Sequence, residues 1–167
     1  MKKGFTLMEI LAVMLVIAVI ASFLVPAVRS ARAEVAYQRA KAAAIKMAEA
    51  MRSYYRDSKG YLFDTNSSVT GTTALTVSGC PSDSPARTGI INTGTKVPRN
   101  VKELFDCNYL TWKDFQGLPY TFTPTATSGN RSVLVTFTAL DDAKAGRYKT
   151  KSFHVTHDMK VEEDDDF

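Results

Sequence analysis

The sequence predicts an α+β fold: one long N-terminal α-helix packed against a small antiparallel β-sheet. Three observations predict it. Residues 29–59 contain neither Gly nor Pro and carry on helically from an apolar run. Residues 58–100 are dense in Gly, Thr, Ser and Pro. Residues 119–155 alternate apolar and polar side chains in three short stretches separated by turn residues. Helical periodicity followed by period-two alternation argues for helix and sheet segregated along the chain.

The chain opens MKKGFTLMEILAVMLVIAVIASFLVPAVRS. Ile10–Val28 is apolar apart from Ser22 and Pro26, long enough for a helix to cross a bilayer. An ordinary signal peptide would take Lys2 and Lys3 as its basic region and Ala31-Arg32-Ala33 as its cleavage site. The apolar run is too long for that reading, Glu9 interrupts its start, and Arg29 and Arg32 crowd the cut. A plain membrane anchor fits the length but leaves Glu9 unexplained. A carboxylate at that place costs about 3 kcal/mol even on the lenient insertion scales, so the charge calls for a use.

The stretch Lys2-Lys3-Gly4-Phe5-Thr6-Leu7-Met8-Glu9, followed by an apolar helix, resembles the class III signal of type IV pilins and their pseudopilin relatives. The resemblance covers residues 2–28 closely; beyond them it extends only to layout. It implies a prepilin leader, residues 1–4, removed by a prepilin peptidase between Gly4 and Phe5, with Phe5 N-methylated as the new terminus. It implies that Glu9 of one subunit pairs with the Phe5 amine of a neighbour as a filament grows. Such a pair sets register between otherwise featureless apolar helices more than it adds affinity, because desolvation offsets most of the attraction. Pro26 falls where this family often has a helix-perturbing proline. It removes one backbone hydrogen bond and is expected to kink or locally melt the helix, with melting tied to assembly.

After Val28 the sequence RSARAEVAYQRAKAAAIKMAEAMRSYYRDSKG is built from strong helix formers. Val28, Val35, Ala42, Ile45, Ala48 and Tyr55 recur at helical spacing and predict an apolar stripe. Tyr37, Ala44, Met47, Met51 and Tyr54 broaden it, and Lys59-Gly60 supplies a stop. One helix from Phe5 to Asp57 would measure roughly 80 Å. Residues 5–28 form its membrane or assembly half and residues 29–57 an amphipathic half. A lipid anchor followed by a juxtamembrane coiled coil fits the same periodicity.

Residues 58–167 form the globular part. The connection 58–100 lies where the family has a variable loop, with short strands expected at Ala74–Val77 and Gly89–Asn92. Asn100-Val101-Lys102-Glu103 is a variant of the capping box and predicts a short helix over 101–106. A β-meander follows: Pro119–Thr123, then Ser132–Ala139 with Val133, Val135 and Phe137 on one face, then Arg147–Val155, with turns at Thr125–Arg131 and Asp141–Gly146. The acidic residues Glu162–Asp166 are expected as a solvated tail. Cys80 and Cys107 are the two cysteines. Beyond a membrane-targeting N-terminus they read as a disulfide, with buried free thiols as the alternative. A bridge of that loop length contributes roughly 3 kcal/mol in the chain-entropy picture.

The charge balance, 21 Lys+Arg against 17 Asp+Glu with a pI near 9.1, is too even and too scattered to point to nucleic acid. His154 and His157 lack the further ligands a zinc site needs, and the acidic tail lacks the glycine-punctuated spacing of a calcium loop. The sequence holds no phosphate-binding glycine loop and no nucleophile motif. No catalysis, cofactor or metal is therefore expected. The resemblance implies a structural subunit: a prepilin held in the cytoplasmic membrane, then polymerised with copies of itself into a surface filament. Its partners would be the peptidase and an assembly machine with a membrane platform and an ATPase. The stretch Asp114–Tyr120 is similar to the D-x-x-G-x-P-Y segment of major pseudopilins, so a type II secretion pseudopilin is the alternative. A secreted small binding domain with an ordinary signal peptide is a third reading.

Overall fold

The computed structural model of the chain describes residues 6–57, 67–82, 84, 100–126, 133–140, 150–155 and 161–164. Helix α1, Leu7–Asp57, runs 51 residues without a break, Pro26 included. Beyond it lie β1 (Val69–Thr70), the short helix α2 (Lys102–Asp106), a 3-10 turn (Trp112–Asp114), β2 (Tyr120–Ala126), β3 (Val133–Ala139), β4 (Thr150–Val155) and β5 (Val161–Asp164). The strands form one antiparallel sheet in chain order, β1-β2-β3-β4-β5. The fold is α+β, with the outer half of α1 laid mainly across β3.

The expected meander is present in β2, β3 and β4, and Val133, Val135 and Phe137 face the core together as the alternation predicts. Phe122 stands opposite Phe137 across the β2–β3 pair, their ring centroids 5.9 Å apart. A row of aromatic contacts continues from there: Phe122 to Phe115 at 5.1 Å, and Phe115 to Phe105 of α2 at 5.4 Å, both edge-on. Tyr37 of α1 approaches Phe137 from the other side at 6.2 Å. Edge-on and offset rings stabilise beyond their buried area by about 1 kcal/mol a pair, so this row joins helix, sheet and α2 into one core.

The apolar stripe of α1 is rotated from its expected position. Tyr37, Ala40, Ala44, Met47, Met51 and Tyr54 form the buried line, whereas Val28 and Val35 are exposed and Ala42 faces solvent. The side chains expected only to broaden the stripe are its centre. Hydropathy favours Val and Ile over Ala, but a sheet lying close to a helix needs small side chains at the contact. Ala40, Ala43, Ala44, Ala48 and Ala50 supply them.

Three further expectations are corrected. Ala74–Val77 forms no strand. Gly71 turns the chain off the sheet after two paired residues, its N–H bonded to the Tyr120 carbonyl and Thr73 N–H closing back on Thr70. Helix α2 exists, but Asn100 gives it no side-chain cap: Val101 occupies the cap position, and Glu103 turns inward. Finally, Val161–Asp164 is no free tail. It pairs with β4, placing Glu162 opposite His154 and Glu163 opposite Phe153. Carboxylates are well tolerated on an edge strand, where they discourage further pairing. The strand expected at Gly89–Asn92, the turn at Asp141–Gly146 and His157 lie outside the described residues.

Candidate assembly site

The N-terminal end of α1 starts with a capping box. Glu9 Oε2 accepts hydrogen bonds from the Thr6 backbone N–H at 2.8 Å and from Thr6 Oγ1 at 2.9 Å. In return Glu9 N–H reaches Thr6 Oγ1 at 3.4 Å. Orphan N–H groups at a helix start are satisfied in this reciprocal way, and the positive end of the helix dipole favours the carboxylate. The T-x-x-E signature was present in the sequence, directly ahead of the apolar run; the partner it identifies, Thr6, is the residue that sequence reasoning overlooked. Oε1 of Glu9 has no hydrogen-bond partner among the described residues. It is available to a cation supplied from elsewhere. Gly4 and Phe5 lie outside the described residues.

From Leu7 to Val28 the helix is bare. Its large apolar side chains are all exposed, and Val28, the least exposed of them, is still 46 % accessible. A soluble core helix would be buried here. This one is long and apolar enough to cross a membrane, and none of that window is covered by the rest of the chain. Ser22 Oγ donates back to the Val19 carbonyl at 2.7 Å, satisfying its hydroxyl within the apolar stretch. Ser22 also precedes Pro26 by one helical turn, so its own carbonyl is the one that loses a partner to the proline ring. The helix nevertheless stays continuous through Pro26 in the single chain.

Cys80 and Cys107 are joined in a disulfide, with Cα atoms 4.2 Å apart. The bridge fastens the segment that leaves β1 to the C-terminal end of α2. Two polar clamps flank it. Asp106, largely buried, accepts from Ser78 N–H at 2.8 Å and from Lys102 Nζ at 2.6 Å. Glu103, also buried, accepts from Tyr54 Oη at 3.0 Å and from Ser84 Oγ, which lies 3.7 Å from Cys107 Sγ. Buried carboxylates are tolerated when they receive several hydrogen bonds. Nothing in the sequence distinguished Glu103 from a capping residue, because the clamp depends on Tyr54, 49 positions away.

The stretch Asp114–Tyr120 is a brace. Gly117, in left-handed backbone at φ 78°, donates its N–H to the Gly71 carbonyl at 2.8 Å. Asp114 takes an ion pair from Lys46 of α1 at 2.7 Å. This geometry holds the 3-10 turn against helix and sheet, and the Lys46–Asp114 pair lies on the wall of an open pocket shared with Glu49, Ser53 and Tyr109. His154 sits in β4. No family model, curated protein or solved structure matches the chain.

Proposed function

We propose that the chain is a structural subunit of a type IV pilus, made as a membrane-held prepilin and polymerised through α1. The observation that carries the proposal is the start of α1. A capped carboxylate, Glu9, with one oxygen uncommitted, heads a bare apolar helix immediately after the Lys2–Phe5 stretch. Cleavage between Gly4 and Phe5 creates an ammonium next to it in sequence, which N-methylation of Phe5 leaves cationic. A neighbour's Phe5 amine then meets Glu9 without dismantling the capping box, since Thr6 uses only Oε2. The driving force is transfer of the apolar half of α1 from lipid to other copies, with Ala12, Ala18 and Ala21 allowing close approach. Pro26 is where the helix yields on assembly. The prepilin peptidase, a membrane platform and an assembly ATPase are the machinery this requires, and a cell-surface filament is the end state.

A type II secretion pseudopilin is the second reading, favoured by the likeness of Asp114–Tyr120 to the pseudopilin segment. The cysteine pair and the lack of a calcium-type loop in the acidic C-terminal sequence favour the pilus.

The test is the intact mass of the native protein in filaments sheared from cells. A chain that begins at methylated Phe5 and is two hydrogens light is expected. The same mass found only in the cell envelope moves the assignment to a pseudopilin or minor subunit. A chain starting after Ala33 overturns both. In parallel, Glu9→Ala is expected to insert into the membrane and fail to assemble; filaments of normal abundance would remove the role given to Glu9.

A further inference from the structure

We infer that Arg29 and Arg32 form a binding collar for anionic phospholipid headgroups on the outer side of the membrane. The inference rests on the membrane-spanning reading of α1. Leu7 to Val28 measures about 33 Å along the helix axis, close to the thickness of the hydrocarbon layer, so Arg29 and Arg32 emerge at headgroup depth. Both are exposed. The first α1 residue covered by the globular part is Ala33. Arg29 lies four positions before it, on the same face one turn closer to the membrane. It therefore occupies the gap between the underside of the globular part and the lipid.

Neither arginine has a counter-ion among the described residues. They are three apart on one helix, a like-charge spacing that is unfavourable by itself. The helical neighbours able to reach them are Val25, Pro26 and Ala33 for Arg29, and Val28, Val35 and Ala36 for Arg32. No carboxylate is among these. The nearest, Glu34, lies at neither helical-neighbour spacing from either arginine and accepts the Gln38 amide at 2.9 Å. An anion bound by both offsets the repulsion, and the anion abundant at that depth is lipid phosphate. Guanidinium groups suit it, since their forked donors engage phosphate oxygens in pairs.

The disulfide places the globular part in an oxidising compartment, so the arginines stand on the translocated side. Positive charge flanking a span is favoured on the opposite, cytoplasmic side. Arg29 and Arg32 thus run against the topogenic bias. Headgroup contacts at this place would fix how deep the unassembled subunit rides.

The experiment uses the full chain. Flotation with liposomes comes first: failure to float overturns the membrane reading and the collar with it. The floated protein is then placed in nanodiscs containing phosphatidylglycerol and phosphatidylcholine, and the retained lipids are counted by native mass spectrometry. Wild type is expected to enrich phosphatidylglycerol, and the Arg29→Gln/Arg32→Gln variant to lose roughly fivefold of that enrichment per arginine removed. Arg29→Lys/Arg32→Lys is expected to keep most of it, and Arg56→Gln, at the far end of α1, all of it. Added inorganic phosphate is expected to leave it unchanged; displacement by phosphate would point to a free-anion site. Unaltered enrichment in the glutamine variant overturns the collar while leaving the pilus proposal standing. Unaltered enrichment accompanied by weaker self-association would assign the arginines to a second copy.

Discussion

Tyr54, near the outer end of the long helix, donates a 3.0 Å hydrogen bond to Glu103 of α2, and both side chains are sealed from water. This contact ties the long helix to the segment that carries the disulfide. Together with the bond from Ser84, it lets a carboxylate be tolerated in the core beside Leu104 and Phe105.

Tyr54→Phe removes the donor but keeps the ring, which contacts Tyr109 edge-on at 5.6 Å. A hydrogen bond to a charged, buried acceptor is worth about 1.5–3 kcal/mol, and a loss of that size is expected. Trp112, the single tryptophan, packs between Phe105 and Phe115 and reports unfolding of this region by fluorescence. A denaturant midpoint shifted by less than a tenth of the total would mean that Glu103 is satisfied without Tyr54.

Replacing both Cys80 and Cys107 by Ser is expected to destabilise the globular part by roughly 3 kcal/mol. The backbone at 74–81 makes no ladder bonds and depends on the bridge and on Asp106. New protease cuts should fall there, with membrane insertion unchanged. Equal protease resistance of the wild type and the variant would show that the clamps suffice without the bridge.

Two glycines separate close approach from backbone conformation. A Cβ on Gly71 would sit 2.5 Å from the carbonyl oxygens of both Phe115 and Leu118, groups that move only if the brace moves. Gly71→Ala is expected to cost up to about 3 kcal/mol. Gly117→Ala meets open space but strains the left-handed backbone, an expected cost of about 1 kcal/mol. Thermal midpoints of the two variants in the same detergent decide the order.

Tyr109 predicts an alkaline dependence. Burial, and then its hydrogen bond to Asp57 at 2.7 Å, push its hydroxyl up to about 12 from an ordinary value of 10. The neutral form is favoured in the folded state, so the folded chain holds the proton where the unfolded chain has released it. The stabilising contribution is complete below pH 10 and is lost as pH rises from 10 towards 12. Tyr109→Phe should flatten the fall in stability across that window, measured by denaturant melts at successive pH. An unchanged slope would assign the alkaline loss to other groups.

The parts of the fold carried by local pattern were legible in the sequence. Alternation along residues 132–139 gave the inner face of β3, and continuous helix formers gave α1 to within two residues at its start and to the residue at its end. What was illegible depended on distance or on shape. The stripe of α1 was misplaced because an alanine at a helix–sheet contact has value only once the sheet is known to lie there. Ala74–Val77 has strand composition, yet Gly71 directs it away from β2. Val161–Asp164 has the composition of a solvated tail, yet β4 offers it a partner. At the site, Glu9 stood out by composition, whereas Thr6 required the capping pattern to be sought at the start of the apolar run.

Helix α1 passes from bare apolar turns to sheet-bearing turns with no joint between Val28 and Ala33. Residue count there sets both the height and the compass bearing of the sheet. One inserted residue would lift the sheet by about 1.5 Å and swing it by about 100° about the helix axis. Seven would lift it by about 10 Å and return it to nearly the same bearing. In the proposed filament, a neighbour gripping the lower part of the rod would decide which side of the sheet looks outward, and the length of this stretch could change only by near-whole turns without re-aiming the surface.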